Sequence, residues 1–453
     1  MSPRSPLTVL GGIQRFIEDI KRLRMVLREV TTIYQSILLT KRRIIPLLLL
    51  IFIAALSIRI ITVEVFGRFP EKDALEYHTI AINQLEGFGH ALESGKPTKL
   101  RSPVYPLFLA GIYAVLGPDY RNALYVQAVS NVLLIFPLFW LGFRLSGEIL
   151  VGVLATIFFA VHTSFEIVSR LYSENLVIIV ALCFVFCIFY MIRRDSYYLA
   201  VLSGLLAGIL GLIKPEYALI GFAMLFPGAI QPSLYRHRKQ LAIVASVSLL
   251  IFGSWQLRNI ALPDSDHSVY RHGQNTVIGA YYPALSGTWW WPITDMEELE
   301  RARDEARAFI FSRPFEQSRQ EIVAALIREP LGLVKLTLSR ILILWASPPV
   351  GSSMIASVNQ SLRWSAIVGQ YLFVCCAFWM LIKVGREAPE VTGFVVMALY
   401  MTIFYGILHA IRRYGYPFVP ELCLFAALFV WNYRLYGRKL LTVLPIKYFK
   451  CRQ

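Results

Sequence analysis

The chain has 453 residues, 56% of them hydrophobic and only 16% charged, with a mean hydropathy of +0.56. A soluble chain of this length needs far more polar surface, so the apolar excess has to face lipid. The formal charge of +16 would suit nucleic acid, but in so apolar a chain it reads as positive-inside bias and affinity for anionic lipid.

Residues 1–43 are basic and partly amphipathic and end in Lys41, Arg42 and Arg43. They read as a cytoplasmic lead-in, and charge throughout the first forty or so residues argues against a removable signal peptide. A first span is expected near 44–64, followed by an external segment over 65–122. Within it, 104–116 (VYPLFLAGIYAVL) is apolar but only about thirteen residues long, which suits an interfacial or re-entrant helix better than a crossing. Further spans are expected near 123–143, 148–166, 174–192, 197–213, 216–230 and 241–261. If 104–116 does not cross, Arg144, the pair Arg193 and Arg194, and the cluster Arg236–Lys239 all fall inside, as the positive-inside rule prefers.

A second external segment is expected over 262–331. It holds an aromatic run from Tyr281 to Trp291, a place for sugar stacking or equally an interfacial belt, and a charged helical stretch from Asp295. The last clear spans lie near 364–382, 391–409 and 416–433. Residues 332–347 are interfacial or an eleventh span; the interfacial version keeps Lys383, Arg386 and the tail cations Arg434, Arg438, Lys439, Lys447 and Lys450 inside. The expectation is an all-α polytopic membrane protein of 10–11 transmembrane helices: a lead-in over 1–43, a transmembrane domain over 44–435 and a basic tail over 436–453. Cys183, Cys187, Cys375, Cys376 and Cys423 fall in apolar spans, and no Cys/His spacing points to a metal. The spans read as close to charge-free and without internal repeats, which disfavours a transporter built on broken helices.

Polar groups collect instead on the inferred outer face. Glu71, Asp73, Glu76, Tyr77 and His78 follow the first span. Arg170 and Glu174 lie in SRLYSEN, Lys214 and Glu216 in IKPEY, Arg258 and Asn259 in SWQLRN, and Arg412, Arg413 and Tyr414 in AIRRYGYP. Fixed cations with carboxylates at one leaflet suit a phosphate-bearing lipid and a hydroxyl acceptor, the cations holding phosphate and a carboxylate taking the proton. Each group also has a bland reading: a cation that snorkels, Asp73 as a helix N-cap, Glu174 as a solvated loop acid or a partner of its helix dipole, His78 as a packing residue.

The run Asp73, Tyr77, Ala81, Leu85, Gly87, Gly89, then Arg101, Pro103, Tyr105, Pro106, Phe108 and Gly117 resembles the first external loop of polyprenyl-phosphate-sugar-dependent GT-C glycosyltransferases. That group includes protein O-mannosyltransferases and lipid A aminoarabinose transferases. SRLYSEN (169–175), SWQLRN (254–259) and RRYGYPFVPELCL (412–424) are similar to further family elements in the same order. The resemblance covers about residues 44–435 and implies a GT-C fold with juxtamembrane helices in the first external loop. It implies Asp73 as catalytic base, with Glu174 orienting acceptor or base. Arg258, Arg412, Arg413 and Lys214 become candidates for the donor phosphate, and Tyr77, His78, Arg101 and Tyr105 for acceptor or sugar. Relatives with a double acid in the first loop differ from this chain, where Ala74 follows Asp73, so a divalent metal stays open as a cofactor. The implied partners are a polyprenyl-phosphate sugar, a lipid, glycan or protein acceptor, and the membrane. The implied reaction is transfer of one sugar with inversion on the extracytoplasmic face, and the compact size of the chain points to a prokaryotic plasma membrane. En bloc oligosaccharide transfer from a pyrophosphate carrier and a non-enzymatic transporter are the alternatives.

Overall fold

Apolar runs of about 20 residues must close their backbone hydrogen bonds internally in lipid, and helices do so. The computed structural model describes residues 44–93, 95–262, 281–282, 301, 304–306, 308–309, 312, 314–346 and 360–436. The lead-in, the tail and most of the aromatic run from Tyr281 to Trp291 lie outside the described residues.

Helix α1 (Ile44–Phe66) is followed by α2 (Asp73–Leu85), a short antiparallel hairpin of β1 (Ala91–Glu93) and β2 (Lys96–Pro97), and α3 (Val104–Leu116). Next come α4 (Tyr120–Leu133), α5 (Ile135–Ser146), α6 (Ile149–Val161), a 3₁₀ segment Thr163–Ser169, α7 (Glu174–Arg194) and α8 (Tyr197–Ile213). Residues 215–235 form short helical pieces, and α9 (Arg238–Ala261), α10 (Phe315–Arg328), α11 (Pro330–Ala346), α12 (Gln360–Glu387) and α13 (Thr392–Ile407) follow. A 3₁₀ turn, Arg412–Phe418, leads into α14 (Val419–Tyr436).

Among the described residues, seven helices are long and apolar enough to cross a membrane, or eight if α6 and the 3₁₀ segment, bent by 54°, are one broken span. The expected span over 197–213 is the 17-residue α8. Its end meets the start of α7, with Lys214 Nζ 3.0 Å from Glu174. The expected span over 216–230 is not one helix: it is divided into Ile220–Ala223 and Leu225–Ile230, and Pro227, the one proline within it, cannot donate to the Ala223 carbonyl. It nevertheless returns to the opposite end, where His237 lies 3.0 Å from Asp195 at the close of α7. The described chain thus passes between the two ends of the bundle ten times.

Small residues set the closest contacts, as packing in lipid requires. A Cβ on Gly208 of α8 would sit 2.5 Å from Ile251 of α9, and one on Gly142 of α5 would sit 2.8 Å from the Gly152 backbone of α6. The short apolar segment forms α3 with the expected limits and packs on α2 and α4. The ambiguous segment 332–347 is α11. Arg340 donates to the Ile407 carbonyl and Trp345 to Thr402 (2.8 Å), so α11 runs antiparallel beside the Asp73-side half of α13.

Candidate active site

Asp73 opens α2 but does not cap it: the N-cap is Lys72, at φ 51°, and no side chain caps the helix. A non-glycine residue at positive φ costs about 1–3 kcal/mol and persists only when its surroundings demand it. The Asp73 carboxylate turns instead to two arginines from distant segments. Arg101 Nη2 donates to Oδ1 and Arg413 Nη2 to Oδ2, each at 2.8 Å. Arg101, delivered by the loop after β2, also pairs through Nε with Glu76, one turn along α2, at 2.5 Å.

Glu174 begins α7 and is only 2% exposed, which rules out a solvated loop acid. Its Oε1 lies 3.0 Å from Lys214 Nζ and 3.1 Å from Arg413 Nε. Lys214 also stands 3.9 Å from Glu216 and 3.5 Å from the Tyr414 ring centre. Arg413 is stacked 4.0 Å over Tyr172. Charges therefore alternate along one line: Glu76, Arg101, Asp73, Arg413, Glu174, Lys214, Glu216.

Burial pushes the Asp73 carboxyl up, but the guanidinium groups of Arg101 and Arg413 outweigh it and hold the group below its ordinary value. Burial likewise opposes the charge on Arg101, yet Tyr77, Asp73 and Glu76 together raise its pKa. Asp73 is thus held ionised and clamped on both oxygens.

Tyr77 and Tyr105 form the wall beside this line. Arg101 lies 5.3 Å over Tyr77, whose ring meets Tyr105 edge-on at 4.9 Å. The Tyr105 hydroxyl donates to Gln127 at 2.6 Å, and Gln127 donates to the Arg170 carbonyl. His78 is turned elsewhere. Five residues along a helix is about 140° around it, and its Nδ1 bonds the Tyr113 hydroxyl at 2.8 Å beside Phe69. Arg258 is not brought to the carboxylates. It donates to the Thr98 carbonyl (2.8 Å) and stacks 4.5 Å over Trp255, fastening the hairpin loop three residues before Arg101. His90 secures the same loop by donating from Nε2 to the Arg101 carbonyl at 2.8 Å, and burial pulls its pKa down to about 4. The Arg412 side chain lies outside the described residues.

Tyr172, Gln127 and the buried Arg59 in α1 escaped the sequence reading. Arg59 corrects the expectation of charge-free spans: it is 0% exposed. An arginine well inside a strongly apolar run, with Glu64 nearer its end, was the available signal.

No family model matches the chain, and no curated protein matches it. Among solved structures, the oligosaccharyltransferase of Archaeoglobus fulgidus, tethered with an acceptor peptide containing the NVT sequon, matches with a TM-score of 0.50 at 13% identity. The match covers 92% of this chain and 52% of that one. The chain has the GT-C fold. Helices α2 and α3 lie between the first two spans, where the sequence resemblance implies juxtamembrane helices. The same oligosaccharyltransferase in complex with Zn and sulfate gives 0.48 at 14% identity, over 86% of this chain and 50% of that one. ArnT from Cupriavidus metallidurans bound to undecaprenyl phosphate gives 0.39 at 14% identity, over 90% and 82%. The chain therefore spans about half the length of the oligosaccharyltransferase.

Among the described residues the carboxylates of the site are already engaged by cations. Asp73, Glu76 and Glu174 each face a guanidinium or ammonium group, and no group of three or more His, Cys, Asp or Glu suited to a metal occurs among the described residues.

Proposed function

We propose that this chain is an integral membrane glycosyltransferase that moves one sugar from a polyprenyl-monophosphate carrier to an acceptor hydroxyl, with inversion. The observation that carries the reading is Arg413 bridging Asp73 and Glu174 at one end of a GT-C bundle. A carboxylate beside cations poised for a phosphate is the equipment this reaction needs.

In the reaction, an Asp73 oxygen takes the acceptor's hydroxyl proton. The acceptor oxygen then bonds to the anomeric carbon from the face opposite the phosphate, and the breaking carbon–oxygen bond leaves its electron pair on the phosphate. The leaving group is already a stable anion, so no general acid is needed. Arg413, with Lys214 beside it, donates to that phosphate. As Arg413 turns to the donor it releases one Asp73 oxygen, so the donor's arrival creates the free base. Tyr77 and Tyr105 shape the acceptor side, and Glu174 keeps the two cations in place.

Sidedness follows from charge. Arg144, Arg193, Arg194, Arg236, Arg238, Lys239, Lys383 and Arg386 gather at the end opposite Asp73. By the positive-inside rule that end is cytoplasmic, together with residues 1–43 and 436–453, and the site faces outside a prokaryotic plasma membrane.

The test is turnover of polyprenyl-monophosphate sugars by purified protein with an envelope acceptor fraction, for wild type and Asp73→Asn. Turnover that falls about a hundredfold or more in a folded variant supports the reading. No turnover of any monophosphate donor defeats it and makes pyrophosphate-linked oligosaccharides the next substrates. Full activity of Asp73→Asn removes Asp73 as the base.

A further inference from the structure

The polar residue least expected in this molecule is Arg59. It lies seven residues before the end of α1, roughly 10 Å along the helix from Phe66, and is completely buried. Its hydrogen bonds run to neutral oxygens: Asn131 Oδ1 at 2.7 Å, and the carbonyls of Ala55, Phe159 and Ala160 at 3.2 Å each. It also lies 5.2 Å over the Phe159 ring.

Phe159 and Ala160 sit in the last turn of α6, whose carbonyls lose their helical partners where the span breaks and bends by 54°. A guanidinium there satisfies two of them and meets the negative end of the helix dipole. Beyond the break, two amides continue the same task. Gln127 donates to the Arg170 carbonyl, and Asn175 to the carbonyls of Ile167, Arg170 and Tyr172. Gln127 and Asn131 stand one turn apart on α4. Residues 159–172 are thus fastened at successive levels by side chains of α1, α4 and α7, and Glu174 follows two residues on.

We propose that Arg59 is a positioning residue: by holding the break in the third span it sets the place of Glu174, and through Glu174 the places of Arg413 and Lys214. The link to catalysis rests on the glycosyl-transfer reading above; the link to Glu174 does not. A bundle needing only stability would have used a continuous helix here, with no charge to bury. The bend sends the chain through Arg170–Ser173 and starts α7 at the level of Lys214 and Arg413.

The test compares wild type, Arg59→Met and Asn131→Leu, the second serving if the first does not fold. Hydrogen exchange comes first because it needs no substrate. Amides over 162–175 are expected to exchange at least tenfold faster in the variant, with α2 and α14 unchanged. Unchanged exchange over 162–175, or a uniform rise over the whole bundle, overturns the proposal. For catalysis, the donor KM is expected to rise about tenfold, with no further rise when Glu174→Gln is already present. Effects that multiply in the double variant overturn action through Glu174. If wild type turns over no monophosphate donor, the functional reading fails while the exchange result still decides the role of Arg59.

Discussion

Arg413 spans two carboxylates: its Nη2 is 2.8 Å from Asp73, 340 positions away in sequence, and its Nε is 3.1 Å from Glu174. Only a planar fork does this; an ammonium is a single point charge. Arg413→Lys should therefore lower turnover of a monophosphate donor by about a hundredfold, or about 2.7 kcal/mol. A variant that keeps a tenth or more of wild-type turnover would show that the bridge is dispensable.

The pH profile tests the clamp on Asp73. Arg101 and Arg413 hold its folded pKa below the unfolded value of about 3.9. The stability this contributes is present above the unfolded value and is lost as pH falls through the lower folded one. Activity that needs the ionised carboxylate should follow the same acid limb. Removing one cation in Arg101→Gln should move the acid limb of kcat/KM to higher pH. Superimposable limbs for wild type and variant would separate Asp73 from the titration.

Arg258 should behave as an anchor of the hairpin loop. Arg258→Gln is expected to raise donor and acceptor KM by less than about tenfold each, and to open residues 90–101 to protease. A hundredfold rise in the donor KM alone, with the loop as protected as before, would make it a phosphate ligand instead.

Close packing of α8 on α9 predicts a stability effect with a control. Gly208→Ala puts a Cβ 2.5 Å from the Ile251 side chain and should cost about 1–3 kcal/mol, relieved by adding Ile251→Ala. Gly111→Ala in α3 meets nothing within 4 Å and should leave the melting temperature unchanged or raised. Equal melting temperatures for Gly208→Ala and wild type would show that the helices separate freely.

Much of the fold was legible because lipid leaves few options for an apolar run. The limits expected for 104–116 and 197–213 are those of α3 and α8. The stretch 216–230 reads as one helix because it is almost wholly apolar, while Pro227 removes a rung of the ladder. Convergence of Asp73, Glu174, Lys214, Arg101 and Arg413 followed from the order of the motifs. The place of His78 did not, because helical phase turns it from Asp73. Arg258 sits at a span mouth, where a side chain can face either a ligand or a loop, and the loop won. Arg59 was invisible to any reading that averages over a whole span.

That same arginine has a consequence for how the protein is made. The first helix enters the bilayer carrying a charge that costs about 2.5–3.5 kcal/mol near a helix centre. At that moment it has one distant-free partner, the carbonyl of Ala55 in its own helix. Asn131 arrives 72 residues later, Phe159 and Ala160 another turn of synthesis after that, at separations of 100 and 101. The first helix enters on its apolar length, and Arg59 gains its distant partners only as the second and third spans are delivered beside it.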